Sequence, residues 1–145
     1  MKKISLTIII ILVASGFILS ACTSNGTSAG LTGTSWRLVS YGTVKNLTPA
    51  APGIETSLNL SEDGQASGNF GCNGFSGDYK VKNGTLVFGP LASTLMACAE
   101  PQMTQESTAF QVMAGTVGFE VEGNTLTIHD AGGTFAILLS RIENK

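Results

Sequence analysis

Short segments in which apolar and polar residues strictly alternate recur along most of this chain, and they limit what it can fold into. Ile54, Thr56, Leu58 and Leu60 alternate with Glu55, Ser57, Asn59 and Ser61. Val117, Phe119 and Val121 alternate with Gly118, Glu120 and Glu122, and Leu126 and Ile128 with Thr125, Thr127 and His129. A period of two sends successive side chains to opposite faces of a pleated strand, so each segment reads as a strand with one buried and one wet face. The breaks between them are turn chemistry. Asn83-Gly84, between Asp78–Lys82 and Thr85–Phe88, is a two-residue hairpin signal. Ser61-Glu62-Asp63-Gly64 precedes a strand over Gln65–Phe70, and Asp130-Ala131-Gly132-Gly133 leads into Thr134–Ser140. Trp36–Tyr41 is aromatic and β-branched, a further strand. Phe135–Leu139 runs without a polar break, which predicts a last strand buried on both faces.

One segment departs from this rhythm. Pro101 suits the first turn of a helix, and Glu100 and Glu106 place negative charge near its N-terminus. Met103, Phe110, Met113 and Val117 recur at helical spacing as a core-facing stripe, and Gly115 can end the helix in a left-handed cap. The predicted class is α+β, mostly β: an antiparallel curled sheet or partial barrel of about seven or eight strands with one helix inserted late in the chain. Strand order does not follow from these patterns.

The N-terminus is a different kind of sequence. Lys2 and Lys3 precede an apolar run, Ile4–Leu19, and small residues follow, the pattern of a secretory signal peptide. Its roughly sixteen apolar residues fall short of the about 20 that a spanning helix needs. Leu19-Ser20-Ala21-Cys22 resembles a lipobox, which implies removal of residues 1–21 and a diacylated Cys22 as membrane anchor; an ordinary signal peptide or an uncleaved anchor is the alternative. Residues 22–30 carry no charge and no large apolar side chain, so they read as a flexible tether before a domain over 31–145. The overall mean hydropathy of +0.26 comes largely from the leader. Losing Lys2 and Lys3 takes the formal charge from −2 to −4, and no clustered basic face remains for nucleic acid. Thr23 after the cysteine, rather than the Asp that resembles an inner-membrane retention signal, favours the outer membrane in a host with two.

With Cys22 taken by lipid, Cys72 and Cys98 are an even pair in an oxidising compartment, where a disulfide is expected. It would close a loop of about 27 residues, worth about 3.5 kcal/mol in the chain-entropy model. A metal site or a catalytic thiol is the alternative; both want further Cys or His, and the sole histidine is His129, on the polar phase of its strand and expected to be exposed. Asp63, Asp78, Glu100 and Asp130 fall in turns or at the helix start, where carboxylates have structural uses. Asp78 and Glu100 could approach each other near the cysteines as paired carboxylates. No catalytic set assembles, so the reading is a protein that is not an enzyme and needs no metal or cofactor. Met96, Met103 and Met113 could line an adaptable pocket between helix and sheet or simply fill the core.

Two stretches carry a likeness to a known family. Gly68-Asn69-Phe70-Gly71-Cys72-Asn73-Gly74-Phe75-Ser76-Gly77-Asp78-Tyr79 and Ser93-Thr94-Leu95-Met96-Ala97-Cys98 resemble the two signatures of the META domain, or HslJ-like, family. Gly33-Thr34-Ser35-Trp36-Arg37-Leu38, Glu106, Phe110, the segment at Gly123-Asn124-Thr125-Leu126 and Phe135–Ser140 extend the likeness over Leu31–Arg141. The resemblance implies a compact β-rich fold with a helix, commonly on an envelope lipoprotein associated with heat shock, stress response and antibiotic tolerance, and it implies no known reaction. The expected protein is therefore a membrane-anchored, monomeric envelope lipoprotein whose non-enzymatic domain acts in stress tolerance by binding protein. The alternative is a lipid or small-molecule carrier using a pocket between helix and sheet. Within the first signature, the glycines permit positive φ, and Asn73 can bond its own backbone in a turn. Ser93 and Thr94 sit where they could satisfy loose backbone donors, and Cys72–Cys98 would staple helix to sheet.

The intact mass of the protein from native membranes should begin at an acylated Cys22, and Cys22→Ser should release it from the membrane fraction. A chain that still starts at Met1 would overturn the lipoprotein reading.

Overall fold

Asn83 and Gly84 take φ values of 51° and 76°. This is the left-handed pair that lets a two-residue turn match the twist of its flanking strands, here β5 (Gly74–Lys82) and β6 (Thr85–Phe88). The same logic of alternation and turn builds the other strands. These are β1 (Thr34–Thr43), β2 (Asn46–Pro49), β3 (Ser57–Leu60), β4 (Gln65–Asn69), β7 (Ala92–Ser93), β8 (Thr116–Glu122), β9 (Thr125–His129) and β10 (Phe135–Arg141). The helix α1 (Gln102–Val112) lies between β7 and β8. The computed structural model describes residues 30–143; the leader, Cys22 and the tether before Gly30 lie outside the described residues.

Every pairing is antiparallel, in the order β1-β3-β4-β5-β6-β8-β9-β10, and β10 returns to β1. The closing ladder runs from Trp36 opposite Arg141 to Thr43 opposite Phe135, with a register shift between Leu38 and Ser40. The result is a closed eight-stranded barrel, so the expected curled sheet goes all the way round and leaves no open edge among these strands. Two short strands are additional: β2 pairs with the second half of β1, and β7 with the first residues of β5.

A barrel of this size is just wide enough for side chains to fill. Trp36, Leu58, Leu60, Leu86, Leu126, Ile128, Ile137 and Leu139 have no or almost no exposure and form one core cluster. The alternating residues of β3, β8 and β9 supply it from their buried faces. Trp36 donates its indole N–H to Thr34 Oγ1 at 2.6 Å, and the Arg141 guanidinium lies 4.8 Å from its ring centre.

Two expectations need correction. β10 is not buried on both faces. Ile137 and Leu139 point into the core, whereas Leu138, on the outer side of the same strand, is half-buried. An unbroken apolar run here reflects one core face plus a partly covered outer face. The helical stripe also fails. Val117 lies in β8, and Met103 and Phe110 are only half-buried. The buried residues of α1 are Gln105, Glu106, Ala109 and Val112, followed by Met113. The helix therefore turns a partly polar face to the barrel, which hydrophobic periodicity cannot find. Gly115 does take a left-handed φ of 74°, two residues beyond the cap at Met113.

The two ends of the barrel differ. The tight turns β3–β4, β5–β6 and β8–β9 share one end with the chain entry near Gly30, held by the bond from Gly33 N–H to Leu60 C=O at 2.7 Å. The connections β2–β3, β4–β5, β6–β8 and β9–β10 leave at the other end, together with the short β1–β2 turn, and α1 lies there within the long β6–β8 connection. Leu139→Ala should cost about 2–5 kcal/mol, since a closed and filled barrel collapses poorly around a void. Urea denaturation would read this as a lower midpoint at unchanged slope.

Candidate functional site

Adjacent side chains on α1 tie it to the barrel rim through hydrogen bonds to backbone. Gln105, fully buried, accepts the Ala51 N–H at 2.7 Å and donates Nε2–H to the Phe70 carbonyl at 2.5 Å. Glu106 is 4% exposed. Its Oε2 accepts the N–H groups of Cys72 at 3.1 Å and Asn73 at 2.5 Å, and its Oε1 accepts Asn73 Nδ2–H at 2.7 Å. A buried carboxyl group is costly unless its oxygens are bonded, and here three donors converge on it.

Asn73 extends the network into the loop that follows β7. Its Oδ1 accepts the Thr94 hydroxyl and the Met96 N–H, both at 2.8 Å, while Nδ2 also donates to the Met96 carbonyl at 3.2 Å. Cys72 is joined to Cys98 by a disulfide with Cα atoms 5.9 Å apart. The two signature stretches are thus one structural unit: the β4–β5 link grips the helix with its backbone and the 94–98 loop with a side chain and a covalent bond. Asn73 does not bond its own backbone, as its turn chemistry suggested. Asn69 fills that role, accepting Gly71 N–H at 2.6 Å. Thr94 likewise donates to Asn73 rather than satisfying backbone donors.

This scaffold presents apolar surface. Leu95 is 96% exposed and Met96 55% exposed, on a loop pinned at both residues' flanks. Beside it, a groove of about 590 Å³ runs between the β6–β7 connection and the end of the helix, lined by Phe88, Pro90, Leu91, Phe110 and Met113. A second hollow of about 400 Å³ continues past Leu95, Met96, Met103 and Ser107. Phe110 separates the hollows from the core, edge-on to Phe75 at 5.5 Å and Phe70 at 6.2 Å. All three methionines named above border this surface: Met96 and Met103 line the second hollow and Met113 the first.

The titratable candidates are dispersed. Asp78 Oδ1 accepts Gln65 Nε2–H at 2.5 Å across the β4–β5 ladder, and Glu100 Oε2 accepts Thr104 N–H at 3.1 Å at the helix start. No hydrogen bond joins Asp78 to Glu100 among the described residues. His129 is half-buried rather than exposed; it pairs with Gly118, where an added Cβ would strike its ring. Asp63 and Asp130 are held below the usual carboxylate value. The Ser61 hydroxyl and then the Gln65 N–H act on Asp63, and chiefly the Phe135 N–H on Asp130. Both are turn braces. Among the described residues no group of three His, Cys, Asp or Glu side chains is placed to hold a metal ion.

Sequence reasoning missed the buried roles of Gln105 and Glu106 and the tertiary role of Asn73. Reading the helix in the phase Gln105, Glu106, Ala109, Val112, Met113 would have exposed two polar side chains on the inner face, the available signal.

Comparison with known proteins places these features. A family model described as the META domain matches residues 29–141. The heat shock protein HslJ of Escherichia coli (strain K12) is 32% identical over 88 residues, 60% of this chain; the match spans only 62% of that relative's length. A protein from Burkholderia xenovorans, solved by NMR, superposes with a TM-score of 0.69 at 25% identity, covering 83% of this chain and 89% of that one. A DUF4847 family protein from Bacteroides vulgatus superposes with a TM-score of 0.56 over 81% of this chain and 98% of that one, and at 12% identity this is a likeness of fold alone.

Glu106→Gln would turn an amide N–H toward at least one of the three converging donors. It should destabilise the oxidised protein by about 1–3 kcal/mol in urea denaturation, while the same change at exposed Glu122 should stay within about 0.5 kcal/mol.

Proposed function

The chain belongs to the META domain family, and from that premise we propose that it is an envelope lipoprotein, anchored through Cys22, whose domain supports stress tolerance by binding other proteins without catalysing a reaction. The observation that carries this reading is the pinned apolar loop at Leu95 and Met96 beside the open groove. Large apolar side chains held rigidly in solvent are costly for a domain to keep and suit a surface that a partner covers. The printed name of the Escherichia coli relative, a heat shock protein, supports the stress setting. Dispersal of Asp78, Glu100 and His129 over separate elements, each with a structural neighbour, supports a role in binding.

A second reading, carriage of a lipid or small apolar molecule, is favoured by the groove beside Phe110 and Met113. The barrel interior is packed with side chains, so such a cargo would sit on the outside of the barrel, where this groove has an apolar lining.

In a host lacking the gene, growth under envelope stress should be impaired, restored by the wild-type chain and lost again with Cys22→Ser. A triple variant Asp78→Asn, Glu100→Gln, His129→Ala that folds should restore growth as well as wild type; failure would point to an enzyme. Crosslinking in the same cells should join the domain to envelope proteins. Stoichiometric lipid extracted from the purified protein, beyond its own anchor, would favour the carrier reading.

A further inference from the structure

We propose that the groove between β7 and α1 takes an extended polypeptide segment of another protein, added as a strand to the free edge of β7 with uncharged apolar side chains set against the helix. This rests on the protein-binding reading above and names the site and the form of the ligand.

The first support is the phase of the β7 ladder. Thr94 N–H donates to the Gly74 carbonyl at 3.0 Å, and the next residue, Ser93, lies opposite Phe75. Bonded and unbonded pairs alternate in an antiparallel ladder, so the N–H and C=O of Ser93 point away from β5. β7 has β5 as its only strand partner, so its other edge offers these groups to an incoming chain.

The second is the shape of the surface beside that edge. Ser93 and Phe110 border both hollows, one running toward Phe88 and Met113 and the other toward Leu95 and Met103. The groove therefore passes β7 in both directions, as a ligand longer than one residue requires. Glu106 is the one charged residue along it, and its oxygens are occupied by Cys72 and Asn73. Nothing there would pair with a charged side chain, whereas Leu91, Met96, Met103 and Phe110 match apolar ones. Asn73 and the disulfide hold the strand-side wall in place before binding, which lowers the entropy lost on docking.

The third concerns what else could fill the groove. The described chain begins at Gly30, whose carbonyl accepts a bond from Arg141 Nη2 at 2.7 Å, at the barrel end opposite the helix. A tether of about nine residues reaches at most about 30 Å. That is about the length of barrel wall that β1 spans at roughly 3.3 Å per residue. A tether anchored at Cys22 would thus be fully extended merely in reaching the helix end, so it is not the segment that fills the groove.

The test uses the exported chain carrying Cys22→Ser, labelled with ¹⁵N and oxidised. The probes are a capped peptide, Lys-Val-Thr-Val-Thr-Val-Lys, and the same peptide N-methylated at alternate amides. The parent peptide should shift the amides of Ser93, Leu95 and Phe110 and slow exchange of the Ser93 N–H at least tenfold. The methylated peptide should bind at least tenfold more weakly, and so should the parent peptide to a Ser107→Arg variant, whose substituted side chain lines the helix wall and is exposed in the free protein. Equal binding of both peptides, shifts confined to another face, or no shift at Ser93 up to millimolar peptide would overturn the proposal. In the stressed host, loss of growth rescue by Ser107→Arg supports the groove. Full rescue with crosslinks on another face defeats the groove and leaves protein binding standing, and an absence of crosslinks defeats both.

Discussion

The amide of Asn73 uses both of its ends at once, and the open end of the barrel takes its shape from that. Its oxygen accepts from Thr94 and Met96, and its nitrogen donates to Met96 and Glu106. One side chain therefore fixes the helix, the β4–β5 link and the loop after β7 relative to one another. Such a network is strong only when complete, because each unmade bond would leave a polar group stranded in a place with little water. The disulfide from the neighbouring Cys72 covers the part of the loop that Asn73 does not reach. Leu95 and Met96 can stand in solvent without the loop collapsing inward because the backbone beneath them has no freedom to do so.

Closure of β10 onto β1 explains why this chemistry sits at the rim. The interior of this eight-stranded barrel is occupied by Trp36, Leu58, Leu126, Ile137 and Leu139, so the hollows described above lie on its outside. Its tight turns leave little to vary at one end. The connections at the other end, the long β6–β8 one above all, carry the helix, the cysteine pair and the exposed apolar loop, which fits the general tendency of rigid scaffolds to place binding surface on their connections.

Legibility divided along physical lines. The strands could be read because a half-buried strand shows its two faces within a few residues, as in Ser57–Leu60 and Thr116–Glu122. The β5–β6 hairpin could be read because Asn83-Gly84 tolerates positive φ locally. The helix existed where Pro101 and Gly115 bracketed it, but its orientation did not follow from Met103, Phe110 and Val117. Gln105 and Glu106 face inward because backbone N–H and C=O groups of distant links await them there, and those groups leave no trace in helical periodicity. Glu106 read as a charge favoured by the helix start is, in the folded chain, the acceptor for three donors from the β4–β5 link. His129 had the polar phase of its strand but found shelter over Gly118 on β8.

By itself, the sequence determined the class of fold, the segments of the eight barrel strands though not of β2 or β7, the position of α1 and the likeness to the META domain, since all of these depend on contacts or patterns local in the chain. Only the tertiary structure decided that the sheet closes, that Ser93 turns a free edge toward a groove, and that Asn73 and Glu106 form one unit. Each of those depends on groups brought together from far apart in the sequence, as Cys72 and Asn73 meet Glu106 more than thirty residues away. Their hydrogen-bonding partners are backbone atoms, and every residue carries those, so no pattern of side chains announces which ones will meet.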